Sequence, residues 1–407
     1  MRVLCVGSRY PPWSIGGYET TWAGAVRALR DRGHEVRVLT TGPDPTDRLT
    51  AAPAPADDVH RDLRWYWRAH EFPPGGLRAC VALERANADV FAAHRAAFDP
   101  DVVMWWAMGG LSLSLLEQAR RAGVPALAVV GDEWVNYGPG VDGWSRRWRG
   151  PGRWLGRVLA PVVSALVGIP ARLRLDLAGE WSFNSLHTLS VARGAGWRLP
   201  DATVDHPGVA AALLAGVPAA PDWGWRLLCC GRIDPRKGIA TAVRALALLP
   251  DHARLTVHGE GDSGHLSELK TLAHDLGVGD RVCFSSGPPH EVAGVYASCD
   301  ALLFPVTWHE PWGLVALEAM AAGRPVVAAR AGGGAAEYLA PEVNSLGFAP
   351  GQAGELAAAV TRLAGDPELR ARLVARGRIT AGRFTEDAFH AALERRLAVA
   401  VRRGPRA

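Results

Sequence analysis

Short apolar runs alternate along this chain with stretches of helical pattern, and that alternation constrains the fold more than any other feature. Val3–Val6, Glu35–Thr40, Val102–Trp106 and Ala126–Val130 read as buried strands in the first half. Arg226–Cys230, Arg254–Val257, Val282–Phe284 and Pro325–Ala329 do so in the second. Helical patterns lie between them, over Tyr18–Arg32, Leu77–Phe98, Leu111–Ala122, Ile239–Leu249 and His265–Leu276. A strand followed by a helix and another strand crosses over to pair in parallel, so α/β architecture is expected. At 407 residues the chain exceeds what one hydrophobic core supports, which implies two such domains. The turn signal Pro207-Gly208 puts the boundary near residue 207.

One block concentrates chemistry. Phe304–Val327, FPVTWHEPWGLVALEAMAAGRPVV, reads as strand end, loop, helix and next strand. Pro311 and Gly313 suit a helix entry, and Gly323 and Pro325 stop the helix. Glu310 precedes the first turn and Glu318 lies inside the helix, so both can border one cavity at its start. Free N–H groups and the positive dipole end there favour an anion, while flanking carboxylates suit the hydroxyls of a sugar and a ribose. Earlier, the loop Gly231-Arg232-Ile233-Asp234-Pro235-Arg236-Lys237-Gly238 follows a strand and opens a helix. Two cations at such a turn, Arg232 as a planar fork and Lys237 as a point charge, can converge on one diphosphate. Each feature alone is common on solvated surfaces; their combination suggests a nucleotide sugar.

The glutamate block, with Gly333, Gly334 and Glu337 after it, resembles the E-x7-E signature of the retaining family 4 glycosyltransferases. The resemblance runs through nearly the whole chain and is strongest between Arg226 and Gly377. It implies the GT-B fold, two Rossmann-like doubly wound parallel-sheet domains facing each other across a cleft. Residues 1–207 would be the acceptor-binding domain, 208–383 the donor-binding domain, and a final helix over about 384–407 would cross back to the first. The implied donor site comprises Arg232 and Lys237 on the diphosphate, Glu310 on the sugar, Glu318 on the ribose, and Trp312, Gly313, Leu314 and Val315 at the helix start. Gly16 and Gly17, with Pro12 and Glu19, match the family's glycine loop beside donor and acceptor. Tyr18, Glu133 and Trp134 are expected on the acceptor side. Where the family often carries a histidine, this sequence has Gly131, which leaves Asp132 and Glu133 as candidates for acceptor contact or proton removal, against a structural role for Asp132.

The implied reaction moves a hexosyl unit from a UDP- or GDP-sugar to an acceptor hydroxyl on a glycan, a lipid-linked precursor or a small specialised metabolite, with retention. No metal or other cofactor is required, since Arg and Lys can replace the usual cation. A sugar-nucleotide epimerase of GT-B type and a catalytically inactive nucleotide-sugar-binding protein are the alternatives. The net charge of +4 and the lack of a dense basic stretch argue against nucleic acid. The opening βαβ pattern lacks G-x-G-x-x-G, so no dinucleotide is indicated. Six cysteines without metal spacing fit a reduced cytoplasm, and neither a signal-peptide pattern nor an apolar run of about eighteen residues is seen. Trp134–Trp181 interleaves five tryptophans with arginines. One reading is a peripheral membrane patch with Leu155–Ile169 leaning on a bilayer; others are a surface that stacks on an acceptor, or ordinary domain helices with a loop. The oligomeric state is left open.

Overall fold

In the computed structural model, described over residues 1–13, 16–43, 58–67, 72, 75–148, 154–199, 201–210, 217, 222–288 and 291–405, the apolar runs pair in parallel into two sheets. The first contains β1 (Arg2–Val6), β2 (Glu35–Thr41), β3 (Val59–Leu63), β4 (Val102–Trp105), β5 (Ala126–Val130), β6 (Glu180–Phe183) and β7 (Thr203–Val204), in the order β3-β2-β1-β4-β5-β6-β7. The second contains β8 (Arg226–Cys230), β9 (Arg254–His258), β10 (Val282–Ser285), β11 (Ala301–Phe304), β12 (Val326–Ala329) and β13 (Leu346–Phe348), in the order β10-β9-β8-β11-β12-β13. Central strands such as β4, β5 and β11 are buried along their whole length. Helices cover both faces of such strands in doubly wound sheets, which is why they read as continuous apolar runs. β3 and β13 had no such signal: one is an edge strand with the polar sequence VHRDL, the other only three residues long. The stretch Pro43–Asp58, whose Pro, Ala, Asp and Thr content reads as an exposed loop, falls almost entirely outside the described residues.

The chain divides into two compact units, Met1–Asp205 with His390–Ala407, and His206–Phe389. The division passes through the last helix, Glu386–Arg403. Its later turns belong to the first unit, where Arg396 donates to Asp205 at 3.2 Å, Arg403 to Glu180 at 3.1 Å, and Glu394 pairs with His34 at 2.9 Å. In each sheet the strand order reverses once. β1 lies between β2 and β4, and β8 between β9 and β11. Ligands of such sheets bind outside the strand C-termini at this switch point.

The tryptophan-rich segment corrects one expectation. Trp134, Trp144 and Trp181 are all buried, with Trp134 and Trp181 ring centroids 5.8 Å apart and the Trp144 indole N–H donating to the Pro170 carbonyl at 2.9 Å. Large aromatic side chains bury wide apolar area, and these fill the first domain instead of lining a surface. Four exposed apolar groups lie on the helix Trp154–Val167, at Val158, Leu159, Val162 and Leu166.

The same domain buries a carboxylate cluster beneath the helix Leu77–Phe98. Glu84 accepts from the Tyr66 hydroxyl at 2.8 Å and from Ser114 at 2.5 Å. Burial, then the charge of Asp142, pushes its carboxyl up from 4.5 to about 8. A raised folded-state value contributes stability that is fully present below the unfolded value of 4.5 and lost as pH rises through about 8. Glu84→Gln is therefore expected to flatten the decline of the unfolding midpoint between about pH 5 and pH 8. Parallel declines in both proteins, followed by circular dichroism, would rule out this residue as their source.

Candidate functional site

In the second domain the loops after β8 and β11 meet at the switch point. Gly238 has φ +66, and a Cβ there would stand 1.8 Å from the Pro305 carbonyl oxygen, so only glycine lets the two loops approach so closely. The Thr307 N–H donates to the Arg236 carbonyl at 2.9 Å and fixes their register. Asp234 caps the short turn Pro235–Lys237 and holds Arg236 with two bonds, at 2.9 and 2.8 Å. That pairing holds the Asp234 carboxyl down at about 2. Arg236 is thus neutralised and stacked over Trp308, 4.4 Å from its ring centroid.

Arg232 and Lys237 are the other two cations of this loop. The Arg232 Nε is buried and has no hydrogen-bond partner among the described residues. A buried guanidinium nitrogen without an acceptor is costly unless a ligand supplies one. Lys237 Nζ donates to Glu310 Oε2 at 2.7 Å, and the Trp308 indole N–H donates to the same oxygen at 2.8 Å. Oε1 of Glu310 carries no such donor among the described residues. The Glu310 backbone is fixed as well, since its carbonyl accepts from the Gly334 N–H at 2.8 Å.

Gly313, at φ +83, turns the chain into the helix Leu314–Ala321. Its carbonyl accepts from Tyr338 at 2.6 Å and from the Ala316 N–H at 3.1 Å. The N–H groups of Leu314 and Val315 head that helix, where no intrahelical acceptor exists. Glu318 lies one turn further and accepts from the Tyr296 hydroxyl at 2.7 Å; burial raises its carboxyl. The structure therefore gathers Arg232, Lys237, Glu310, Gly313, Leu314, Val315 and Glu318 at one end of one sheet. Trp312 departs from them. Its side chain is buried, stacked on His206 with centroids 4.4 Å apart, and its N–H donates to the Pro207 carbonyl, so only its backbone is left for a ligand. Trp308, Tyr296 and Tyr338, which orient the site, were not anticipated. The W-x-E spacing of Trp308 and Glu310 was the only sequence signal available for them.

Gly16, Gly17, Tyr18, Asp132, Glu133 and Trp134 belong to the first domain. Gly16 precedes the helix Gly17–Asp31, and its N–H donates to Glu19 at 2.9 Å, so Glu19 is a cap. A Cβ on Gly16 would meet nothing within 4 Å. At Gly131 a Cβ would lie 2.5 Å from the Tyr18 ring, so Tyr18 fills the space where a histidine side chain would start. The Tyr18 hydroxyl donates to the Val129 carbonyl, and burial raises its pKa well above the ordinary value. Asp132 accepts from the Trp134 N–H at 3.0 Å and from the Tyr137 hydroxyl at 2.9 Å, which occupies both its oxygens at the start of the helix Trp134–Val141. Such an anchored carboxylate fits a structural part better than a general base. Glu133 remains half-buried beside it, and Trp134 is too deeply buried to stack on an acceptor.

Residues 16–194 match the family model described as a glycosyl transferase 4-like domain, and residues 217–380 that of glycosyl transferases group 1. A D-inositol 3-phosphate glycosyltransferase of Xylanimonas cellulosilytica is 38% identical over 185 residues, covering 44% of this chain and 43% of that protein. The alignment thus spans less than half the length of that relative. A glycogen synthase of Mycobacterium tuberculosis is 28% identical over 404 residues, 95% of this chain and 91% of that one. Among solved structures, HepE from Anabaena in complex with UDP-glucose superposes with a TM-score of 0.67 at 20% identity, over 98% of this chain and 100% of that one. With a glycosyltransferase domain of each kind in sequence, each built on its own parallel sheet, the chain belongs to the GT-B glycosyltransferases of the family 4 type.

Proposed function

We propose that this glycosyltransferase moves a hexosyl unit from a nucleoside-diphosphate sugar, a UDP-sugar before a GDP-sugar, to an acceptor hydroxyl with retention of configuration. The observation that carries the reading is the pairing of Lys237 and Trp308 on one oxygen of Glu310, beside an Arg232 Nε without a partner among the described residues, at the switch point of the second sheet. The UDP-glucose bound by HepE favours uridine over the other bases. In this reading residues 208–383 hold the donor, and the first domain with Gly16, Gly17, Tyr18 and Glu133 receives the acceptor.

The hard step is departure of the nucleoside diphosphate, which gains negative charge as the C1–O bond breaks. Arg232, Lys237 and the helix start at Leu314 and Val315 oppose that charge. Glu310, held by an ammonium and an indole N–H on one oxygen, is a weak nucleophile, and its other oxygen accepts from a sugar hydroxyl. Glu318 takes the ribose hydroxyls. The acceptor oxygen then attacks C1 on the face that the diphosphate leaves, and the departing phosphate oxygen takes the acceptor proton. No metal is needed for this charge balance.

Thermal unfolding with about 1 mM UDP, GDP, dTDP or ADP tests the donor site, because a ligand at roughly a hundred times its dissociation constant adds about 2.7 kcal/mol. UDP is expected to raise the midpoint most. Four unchanged midpoints would remove the donor reading.

A membrane-held acceptor is favoured by the helix Trp154–Val167. Val158 and Leu166 are 63% and 77% exposed, Leu159 and Val162 lie between them, and exposed Arg85, Arg172 and Arg174 flank its end, with Arg85 donating to the Val167 carbonyl. An apolar helical stripe bordered by arginines suits an anionic bilayer surface. Among the described residues no helix is long and apolar enough to cross a membrane. Sedimentation with vesicles containing anionic lipid is expected to carry down the wild type, and Val162→Asp with Leu166→Asp should abolish it. A wild type left in the supernatant would show that the stripe has another use.

A further inference from the structure

We propose that His60, Asp62 and His94 form a binding site for a divalent transition-metal ion, Zn2+ above all, which ties the edge strand β3 to the helix Leu77–Phe98. Their three ligand atoms lie within 4.8 Å of one another. The arrangement follows from the fold. His60 and Asp62 both belong to β3, whose register against β2 shifts by one residue between His60 and Leu63, so it is this irregular stretch of strand that presents the two side chains together. The helix packed beside β3 supplies His94.

His94 Nε2 is 3.1 Å from Asp62 Oδ2, and the two imidazole centroids are 4.5 Å apart. Two donors each about 2.0–2.1 Å from a tetrahedral zinc lie roughly 3.3 Å apart, so the His94–Asp62 pair already has the required spacing. The His60 ligand atom lies within 4.8 Å of both. On binding, the proton shared by His94 and Asp62 leaves for solvent and both atoms coordinate the ion.

A second observation concerns the shell behind His60. Its Nε2 is 2.8 Å from Asp58 Oδ1, and Asp58 is held in turn by Arg37 Nε at 3.0 and 3.1 Å. A carboxylate that accepts from one imidazole nitrogen fixes the tautomer and leaves the other, Nδ1, as a basic ligand. This chain of Arg37, Asp58 and His60 matches the support that metal-ligating histidines ordinarily have. Two imidazoles and one carboxylate select zinc, nickel or copper over magnesium or calcium. The Asp62 side chain is 53% exposed, so water completes the coordination and the ion exchanges with solvent. The site holds an element of the first domain in place; the transfer chemistry assigned to Arg232 and Lys237 does not use it.

Isothermal titration of the full chain, free of any histidine tag, with zinc chloride tests the proposal. One equivalent is expected to bind, with a raised unfolding midpoint that magnesium chloride does not reproduce. His94→Gln and Asp62→Asn should each remove the binding. Asp58→Asn should weaken it by about 10–100-fold, since it supports a ligand without being one. A wild type that takes up no zinc overturns the site. So does zinc uptake that survives His94→Gln and disappears instead in Cys283→Ser, the exposed thiol.

Discussion

Lys237→Ala is expected to lower kcat/KM for glycosyl transfer by about a hundredfold or more, the usual consequence of removing a donor aimed at charge that develops in the transition state. The substitution also strips Glu310 of its ammonium partner at 2.7 Å, and a mostly buried carboxylate left that way costs stability in its own right. A double-mutant cycle separates the two effects. If Lys237 serves only to neutralise Glu310, then Lys237→Ala with Glu310→Gln should recover both folding and much of the rate. If it opposes the charge of the departing diphosphate, the double variant folds well and stays slow. Arg232→Ala breaks no hydrogen bond to a carboxylate among the described residues and touches Asp234 only through its charge, so it should show the same loss of rate with an unfolding midpoint close to wild type. Rates within a fewfold of wild type in both single variants would end the charge-stabilisation account.

Gly238→Ala should produce the largest loss of stability. The left-handed backbone at φ +66 costs a side-chain-bearing residue about 1–3 kcal/mol. The added carbon would also stand 1.8 Å from a backbone oxygen of Pro305, which cannot swing aside as a side chain could. Overpacking of that kind adds about 1–3 kcal/mol. For a domain of this size each kcal/mol lowers the midpoint by roughly 2–4 °C. The relief available is to push the two loops apart, which parts Lys237 from Glu310, so donor affinity should fall together with stability. Gly16→Ala is the matched control: its backbone is extended and its Cβ would enter open space, so the midpoint should not move. Equal midpoints for wild type and Gly238→Ala would mean that the loops have slack which the structure does not show.

The parallel sheets could be read from the chain because buried strands are spelled as apolar runs. Ala126–Val130 and Arg226–Cys230 coincide with strands to the residue. The same reasoning failed at β3, whose VHRDL presents polar side chains at a sheet edge. The cations and glutamates of the second domain were also legible, because strand ends and helix starts place them by simple geometry. Direction was not. Nothing in the spacing of Trp134, Trp144 and Trp181 says that they turn inward, or that Trp312 faces His206 and not a ligand. Pairings between residues distant in sequence were hidden too, as with Tyr18 filling the space over Gly131 and Tyr296 holding Glu318.

The first domain is interrupted in sequence, and this bears on how the protein comes off the ribosome. Residues 390–407 complete a unit whose other part ends at Asp205. At about 5–20 residues per second, synthesis of the intervening stretch takes on the order of ten to forty seconds. Throughout that interval Asp205 and Glu180 lack Arg396 and Arg403, and the surface later covered by Leu393 and Leu397 stands open to chaperones or to another nascent chain. The second unit, His206–Phe389, has no such wait and can close as soon as it has emerged. Vectorial synthesis thus reverses the order in which the two halves mature: the half begun first is finished last. A fragment ending at residue 205 would remain in the unfinished state, whereas a circular permutant that starts at residue 390 and runs on into Met1 would assemble that half first.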